Sequence, residues 1–192
     1  MHVLRVVRVL LPVLIVAALV FAGSSVLSAR PDLQNAKSHV DDSWSSLAVK
    51  LDGRYKLLAV ANDQLRPIPG PIHSLVGDTD TALARWRDAR IHSGVAGQVN
   101  AANDLEALSR RVVATAAASP RVSQNASALA AIAAFLSDAS RKSATGFNKD
   151  VVSYEHERRG PVRAVVASVL GDGQIPVLDT TEAQVSANAA AS

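Results

Sequence analysis

The sequence predicts an all-α protein, an antiparallel up-and-down four-helix bundle preceded by an N-terminal transmembrane helix. Apolar residues make up 48% of the 192-residue chain but aromatic residues only 4%, so Ala, Val and Leu must fill the core, which suits closely packed helices. Apolar positions recur at alternating intervals of three and four residues, as they do on one face of a helix. A long charge-free run near the N terminus predicts the membrane span.

The N-terminal run extends over residues 9–29, 21 residues without a charge. A helix of this length measures about 31 Å, close to the hydrocarbon core of a bilayer at about 30 Å. We expect residues 1–29 to form an uncleaved single-pass anchor; the alternative is a cleaved signal peptide. Arg5 and Arg8 precede the run, which favours a cytoplasmic N terminus and an extracytoplasmic bundle at the cell membrane.

The body of the chain, residues 30–170, carries four apolar stripes of helical spacing. The first stripe is the clearest, and its members are Val40, Trp44, Leu47, Leu51, Tyr55 and Leu58. The other three run through residues 75–89, 101–115 and 129–154. Two long and two shorter segments joined by breaks fit an antiparallel bundle with seams of coiled-coil type.

Prolines and capping residues mark where these helices begin and end. Pro31 is typical of a helix start just past the membrane, and the proline-rich stretch 66–71 ends the first body helix. The fourth segment is predicted as one long helix, which begins at a cap formed by Ser123 or Asn125 and ends near Arg159.

The C-terminal part of the chain has a different composition. A short helix is predicted at 161–170, whereas residues 171–192 hold turn residues and small polar residues without periodicity, which predicts disorder. The chain is therefore predicted to divide into an anchor or signal peptide at 1–29, a helical bundle at 30–170 and a disordered tail at 171–192.

Charge and cysteine content exclude several classes of function. The formal charge is +3, and without Arg5 and Arg8 it falls to +1, because 18 basic residues then face 17 acidic ones. A body so close to neutral lacks the positive surface that nucleic-acid binding requires. The chain has no cysteine, which removes disulfides, thiolate metal sites and a thiol nucleophile.

Histidines and glutamates do not form a recognisable catalytic or metal-binding pattern. The five histidines do not share a helix face at ligand spacing, and the Glu-His-Glu triplet at 155–157 is not the HExxH pattern of zinc proteases. We therefore expect no catalytic residues, no cofactor and no metal. The alternative is a hydrolase or metal enzyme whose site is assembled from dispersed Asp, His and Ser residues.

An ordered series of short motifs connects the chain to a known family. The motifs are VDDSWSSLAVKLDGRYKLL at 40–58, the Ala89-Arg90 pair, NAANDLEAL at 100–108, ASPRVSQN at 118–125, GFNKDVVSYE at 146–155 and RRGPVRAVVASVLG at 158–171. In this order they resemble the LemA family of bacterial membrane-anchored helical proteins, from the N-terminal span to about Asp179. The resemblance implies a helical body tethered to the bacterial cell envelope, with no established catalytic residues.

Eight polar or aromatic residues on the helix seams are the candidate interaction residues. They are Trp44, Arg54, Tyr55, Asn62, Arg90, Asn103, Asn148 and Tyr154. One interpretation is register control, in which an inward polar group finds one partner and prevents slipped packing. The other is a small polar binding site, which would lie near Arg54 and Asn148 if the two long helices are antiparallel neighbours.

Pairing the two long helices gives further expectations. Trp44 is expected in the core, facing residues 147–151. Arg54 lies just beside the first stripe and is expected to reach a neighbouring helix, either of this chain or of another protein. Gly53 and Gly146 interrupt helices at a cost of about 1 kcal/mol each relative to Ala, which indicates close backbone approach or a local bend.

Three functional hypotheses follow from these observations. The first is a non-enzymatic, membrane-anchored helical module of the bacterial cell envelope that binds or scaffolds another envelope protein. The second is an envelope sensor of a small polar ligand near Arg54 and Asn148, and the third is the unrecognised hydrolase or metal enzyme. The first is preferred, because a complete set of helical seams follows a predicted anchor without a convergent catalytic set.

Overall fold

The computed structural model describes the backbone of residues 2–170 and 173–179 and the side chains of 30–140, 142–160, 163–168 and 173–179. Within these residues the protein is all-α and contains no strand, as the sequence predicts. The helices are α1 His2–Leu65, α2 Ile72–His92, α3 Val95–Ala117, α4 Pro120–Ser123, α5 Ala126–Ser137, α6 Ala144–Arg158 and α7 Pro161–Leu170, with a 3₁₀ turn at Ser140–Ser143.

Helix α1 is the central element of the body. Helices α2, α5, α6 and α7 pack against it, and α3 packs mainly on α2. All six residues of the first predicted stripe are buried, which confirms the face assigned to this helix. Its end at Leu65 is also confirmed, and Gly70 in the following turn has φ 121°, a conformation that side chains with a Cβ rarely adopt.

The expected start of a separate body helix at Pro31 is wrong. Pro31 lies inside α1, which begins at His2. The sequence pattern at Pro31 fits a first helical turn, because a proline inside a helix removes one hydrogen bond and its ring crowds the carbonyl four residues earlier. The helix nevertheless continues through Pro31. Among the residues whose side chains are described, no helix is long and apolar enough to cross a membrane. The predicted span at 9–29 lies outside those residues.

The predicted single fourth helix is wrong, because it is divided near its middle. Helix α5 ends at Ser137, and Asp138 has the extended conformation φ −65°, ψ 126°. The Asp138 carboxylate accepts a hydrogen bond from the Ser140 amide at 3.0 Å, which holds the start of the 3₁₀ turn before α6. At the other end, Asn125 caps α5 by accepting from the Ala128 amide, as predicted.

The break shifts the buried face of α5 by one residue. Leu129 and Leu136 were expected on the buried stripe, but they are exposed, whereas Ala128 and Phe135 are buried. After the break, Phe147 and the candidate residue Tyr154 are buried as predicted, whereas Ala144 and Val151 are buried in place of the predicted Ser143 and Asp150, which are half-buried.

The core consists of two clusters. The larger surrounds α1 between Leu33 and Leu58 and receives side chains from α2, α3, α5, α6 and α7. The smaller lies around the turn between α1 and α2, and its members are Leu65, Ile68, Ile72, Leu75, Val76, Val112, Ala116, Val122 and Ala128.

Residues 173–179, which we call the docked segment, differ from the predicted disordered tail at 171–192. Ile175 and Leu178 are buried in the larger core cluster, and the segment bonds to α3 and α6. The rest of that predicted tail, residues 171–172 and 180–192, lies outside the described residues.

Candidate peptide-binding groove

Arg54 is bound on all sides by groups of its own chain. Its Nε and Nη2 donate to the Glu106 carboxylate at 2.8 and 3.3 Å. Nη1 donates to the Phe135 carbonyl at 3.1 Å and lies 3.9 Å from Asp138. The guanidinium also stacks 4.0 Å from the centre of the Phe135 ring. Arg54 therefore joins α1 to α3 and to the end of α5.

The bond to the Phe135 carbonyl depends on the break after α5. The last carbonyls of a helix lack intrahelical donors, so the early end of α5 leaves the Phe135 oxygen accessible to a side chain. Arg54 and Glu106 are 2% and 1% exposed, and a buried charge needs a partner to offset its lost hydration. The arginine and glutamate satisfy each other inside the core.

Gln98 joins two of the candidate residues at the turn between α2 and α3. Its Oε1 accepts from Trp44 Nε1 at 2.8 Å and from Arg90 Nη1 at 2.9 Å. Its amide donates to the Ser93 carbonyl at 2.9 Å. Trp44 and Arg90 therefore hold α1, α2 and α3 in register.

Aromatic side chains fill the centre of the same region. Trp44 lies 5.0 Å from Phe147, which confirms that it faces the start of α6. Trp86 packs edge-on against Tyr55 at 5.1 Å, a favoured geometry for aromatic pairs. The Tyr55 hydroxyl donates to the Ala102 carbonyl at 3.4 Å, so this hydroxyl is also hydrogen-bonded within the core.

Asn62 joins α1 to α2 near the other end of the body. Its amide donates to the Val76 carbonyl at 3.1 Å and to the Asp80 carboxylate at 2.8 Å. Asp80 and Asp63 also accept from Arg66, and these hydrogen bonds raise the pKa of the Arg66 guanidinium above its ordinary value. Asn62 Oδ1 is buried and accepts from no group of the described residues.

Asn103 and Asn148 bind the backbone of the docked segment from two helices. Asn148 on α6 donates to the Leu178 carbonyl and accepts from the Leu178 amide, both at 2.8 Å. Asn103 on α3 donates to the Val177 carbonyl at 3.0 Å and accepts from the Asp179 amide at 2.8 Å. The two side-chain amides together satisfy four backbone groups of three consecutive residues.

Further contacts extend this binding along α6 and α3. The Glu155 carboxylate accepts from the Ile175 amide at 3.1 Å, and the Tyr154 hydroxyl donates to the Gly173 carbonyl at 3.4 Å. At the other end, Arg110 forms a 2.7 Å ion pair with Asp179. We call the surface formed by Asn103, Arg110, Asn148, Tyr154 and Glu155 the α3/α6 groove.

The side chains of the docked segment alternate between the core and solvent. Ile175 and Leu178 are buried, whereas Gln174 and Val177 are exposed. The groove therefore holds a segment without helix or strand structure by its backbone polar groups and by two apolar side chains spaced three residues apart. Backbone hydrogen bonds supply affinity and buried side chains supply specificity in peptide recognition generally.

A second opening lies between α1 and α2. Its volume is about 430 Å³, with Tyr55, Leu83 and Trp86 among the residues that line it. Lys56 and Arg87 lie at its edge, are exposed and form no ion pair within the described part of the chain. This opening has an aromatic wall, and Asp52 lines it together with the two basic residues. No segment of the described residues occupies it.

The eight predicted residues thus do not converge on one place. Arg54 and Asn148, predicted to share a small-ligand site, have different partners: Glu106 in the core and Leu178 in the docked segment. Gly53 and Gly146 are exposed, and a Cβ at either would meet no atom within 4 Å. The predicted close approach of another backbone is therefore not found at either glycine.

Sequence reasoning missed the partners of the predicted residues. They include Asp52, Gln98 and Glu106, which bind Arg90, Trp44 and Arg54. Sequence reasoning also missed Arg110 and Glu155, which bind the docked segment beside Asn103 and Asn148. One signal was present for Glu106: with Ala102, Leu105 and Ser109 it continues a helical stripe that is buried. Within the residues whose side chains the structure describes, no group of three or more His, Asp or Glu could hold a metal ion.

No family model, curated protein or solved structure matches the chain. The resemblance to the LemA family therefore stays a prediction from the motifs.

Proposed function

We propose that this protein is a non-enzymatic, membrane-anchored helical module of the bacterial cell envelope that binds or scaffolds another envelope protein. In this proposal the body is an antiparallel four-helix bundle of LemA type, with α5 and α6 together supplying the fourth helix. The anchor is the charge-free run at 9–29, whose length fits a bilayer.

The observation that carries the proposal is the α3/α6 groove. Asn103 and Asn148 take up both donors and acceptors of an extended backbone, and two apolar side chains of that segment enter the core. Such a surface recognises an extended protein chain, since its contacts match peptide groups rather than a small molecule. We assign partner binding to this groove.

The interior polar residues support the same proposal. Trp44, Arg54 and Arg90 each bind other groups of the chain, and their hydrogen bonds fix the packing of α1, α2 and α3. Their role is to hold the groove-bearing helices in place. We therefore assign them a structural role.

Crosslinking in intact cells tests the proposal. An affinity-tagged full chain should give a reproducible adduct with one envelope protein, and Asn103→Ala/Asn148→Ala should reduce the adduct at least fivefold. The matched control, Lys56→Ala/Arg87→Ala, changes two exposed residues at the α1/α2 opening and should leave the adduct unchanged. Far-UV circular dichroism of each purified variant checks that the body stays helical.

Two outcomes count against the proposal. Recovery of no envelope protein with the tagged chain would contradict partner binding altogether. Loss of the adduct in the Lys56/Arg87 variant, with the asparagine variant unaffected, would move the partner to the α1/α2 opening.

A further inference from the structure

We infer that residues 173–179 are a cis-bound substitute for the partner, so that the partner must displace this segment to enter the α3/α6 groove. This inference rests on the proposed function. It commits to one occupant: an extended segment of an envelope protein with two apolar residues three positions apart, followed by an acidic residue.

The contacts of the docked segment indicate that another chain can replace it in the groove. The four asparagine hydrogen bonds go to backbone groups, which any extended chain except one with proline at the donor positions can supply. Glu155 likewise binds a backbone amide, that of Ile175. The groove therefore recognises the backbone of a bound segment, and its contacts with the side chains of that segment add a requirement on sequence.

Three side chains of the docked segment define the partner's chemistry. Ile175 and Leu178 are buried, and Asp179 pairs with Arg110 at 2.7 Å. Pro176 lies between the two apolar residues, fixes its own φ and disfavours helical geometry at Ile175. Arg110 remains partly exposed, so it can meet an acidic residue of an incoming segment by charge complementarity.

The segment is connected to α7 by only two residues, 171 and 172. A tethered ligand competes at a high effective concentration, in the millimolar range for short linkers. A free peptide of equal intrinsic affinity therefore binds weakly until the tethered copy is removed. Removal of the tethered segment should lower the apparent dissociation constant of the free peptide by at least about tenfold. The apparent affinity is proportional to the fraction of molecules whose groove is open.

Peptide binding to the detergent-solubilised full chain tests this inference. A protease site inserted between Gly171 and Asp172 allows the chain to fold first and the segment to be cut afterwards. The probe is a fluorescent peptide of sequence GQIPVLD. Its binding is measured by fluorescence anisotropy before and after cleavage of the chain. We expect at least tenfold tighter binding after cleavage, abolished by Asn148→Ala, and no binding of a peptide in which aspartate replaces both Ile and Leu.

Several results would overturn the inference. Cleaved chain that stays helical but binds the peptide no more tightly than intact chain contradicts cis occupation. A dimer that dissociates on cleavage indicates that copies exchange the segment, which also contradicts it. A second release variant, Ile175→Asp/Leu178→Asp, should bind the peptide like the cleaved chain.

A locked variant distinguishes this inference from the proposed function. Because the chain has no cysteine, Arg110→Cys/Asp179→Cys can be bridged by a bifunctional maleimide, with the unbridged variant as control. If bridging abolishes partner crosslinking in cells, both proposals are supported. If crosslinking is equal with and without the bridge, cis occupation is overturned and partner binding stands. If no partner is found but cleaved chain binds the peptide, the segment exchanges in the groove but substitutes for no partner, so both the proposed function and the displacement by a partner are overturned.

Discussion

Arg54 and Glu106 show how single buried residues hold the body together. The pair is almost completely removed from solvent, and each group lost its hydration on folding. Arg54 regains contacts from Glu106, from the Phe135 carbonyl and from the Phe135 ring. The pair therefore specifies how α1, α3 and α5 meet, since any other arrangement leaves a buried charge unpaired.

Removing one member of this pair should be far more harmful than removing both. Glu106→Leu leaves Arg54 charged and buried without its carboxylate, which should lower the free energy of unfolding by about 3–5 kcal/mol. Arg54→Met/Glu106→Leu should recover most of that loss, because neither charge remains. Chemical denaturation of the full chain, followed by circular dichroism, measures both.

The control for this prediction is an exposed polar contact between two side chains of α2. His92→Leu removes an exposed contact with Asp88 and should change the free energy of unfolding by less than about 0.5 kcal/mol. If Glu106→Leu proves as mild as His92→Leu, the buried pair does not hold the helices in register.

Which residues matter could be predicted, but their partners could not. Arg54 stood out because a charged residue lies beside an apolar stripe, and Asn103 and Asn148 stood out as polar residues on seams. Their partners depend on how α3 and α6 meet other parts of the chain. Glu106 is 52 residues from Arg54 and Leu178 is 30 residues from Asn148, and no local pattern encodes such distances.

At the scale of the elements, helix ends were predictable wherever a local residue determines them. The proline-rich stretch 66–71 ends α1, and Asn125 caps α5. The break at Asp138 was missed because the sequence around it contains neither proline nor glycine. It depends on the Asp138 carboxylate and on Arg54, which binds the Phe135 carbonyl from another helix.

Substitution of glycine by alanine should change the free energy of unfolding in opposite directions at two positions. Gly53 lies inside α1, and a Cβ there would meet no atom within 4 Å, so Gly53→Ala should raise the free energy of unfolding by about 0.5–1 kcal/mol. Gly70 has φ 121°, so Gly70→Ala should lower it by more than about 1 kcal/mol. Thermal unfolding of the full chain measures both changes, and destabilisation by Gly53→Ala would show that α1 has a close neighbour there.

The docked segment illustrates a second limit of sequence reasoning. Residues 173–179 have no helical or strand periodicity, and their turn residues, within the stretch 171–192, predict disorder. Their order comes from the surface that they contact, chiefly Asn103, Asn148 and the buried sites of Ile175 and Leu178. An extended segment without a local repeat can be placed only when the surface that binds it is known.

At the scale of the whole molecule, interior and surface have separate tasks. The buried ion pair and the aromatic cluster fix the helices, whereas the α3/α6 groove presents side-chain amides to an extended chain. In the proposed account the run at 9–29 keeps this body at the membrane, where its partner is also confined. The account therefore depends on contact between the groove and an envelope protein.

Site-specific photocrosslinking in intact cells tests this claim most directly. A photoreactive residue at Val152, which is exposed on α6 between Asn148 and Glu155, lies beside the groove. The control position is Val60, an exposed residue that lines the α1/α2 opening. The account predicts one discrete envelope-protein adduct from position 152 and none from position 60. A discrete adduct from position 60 with none from position 152 would contradict it.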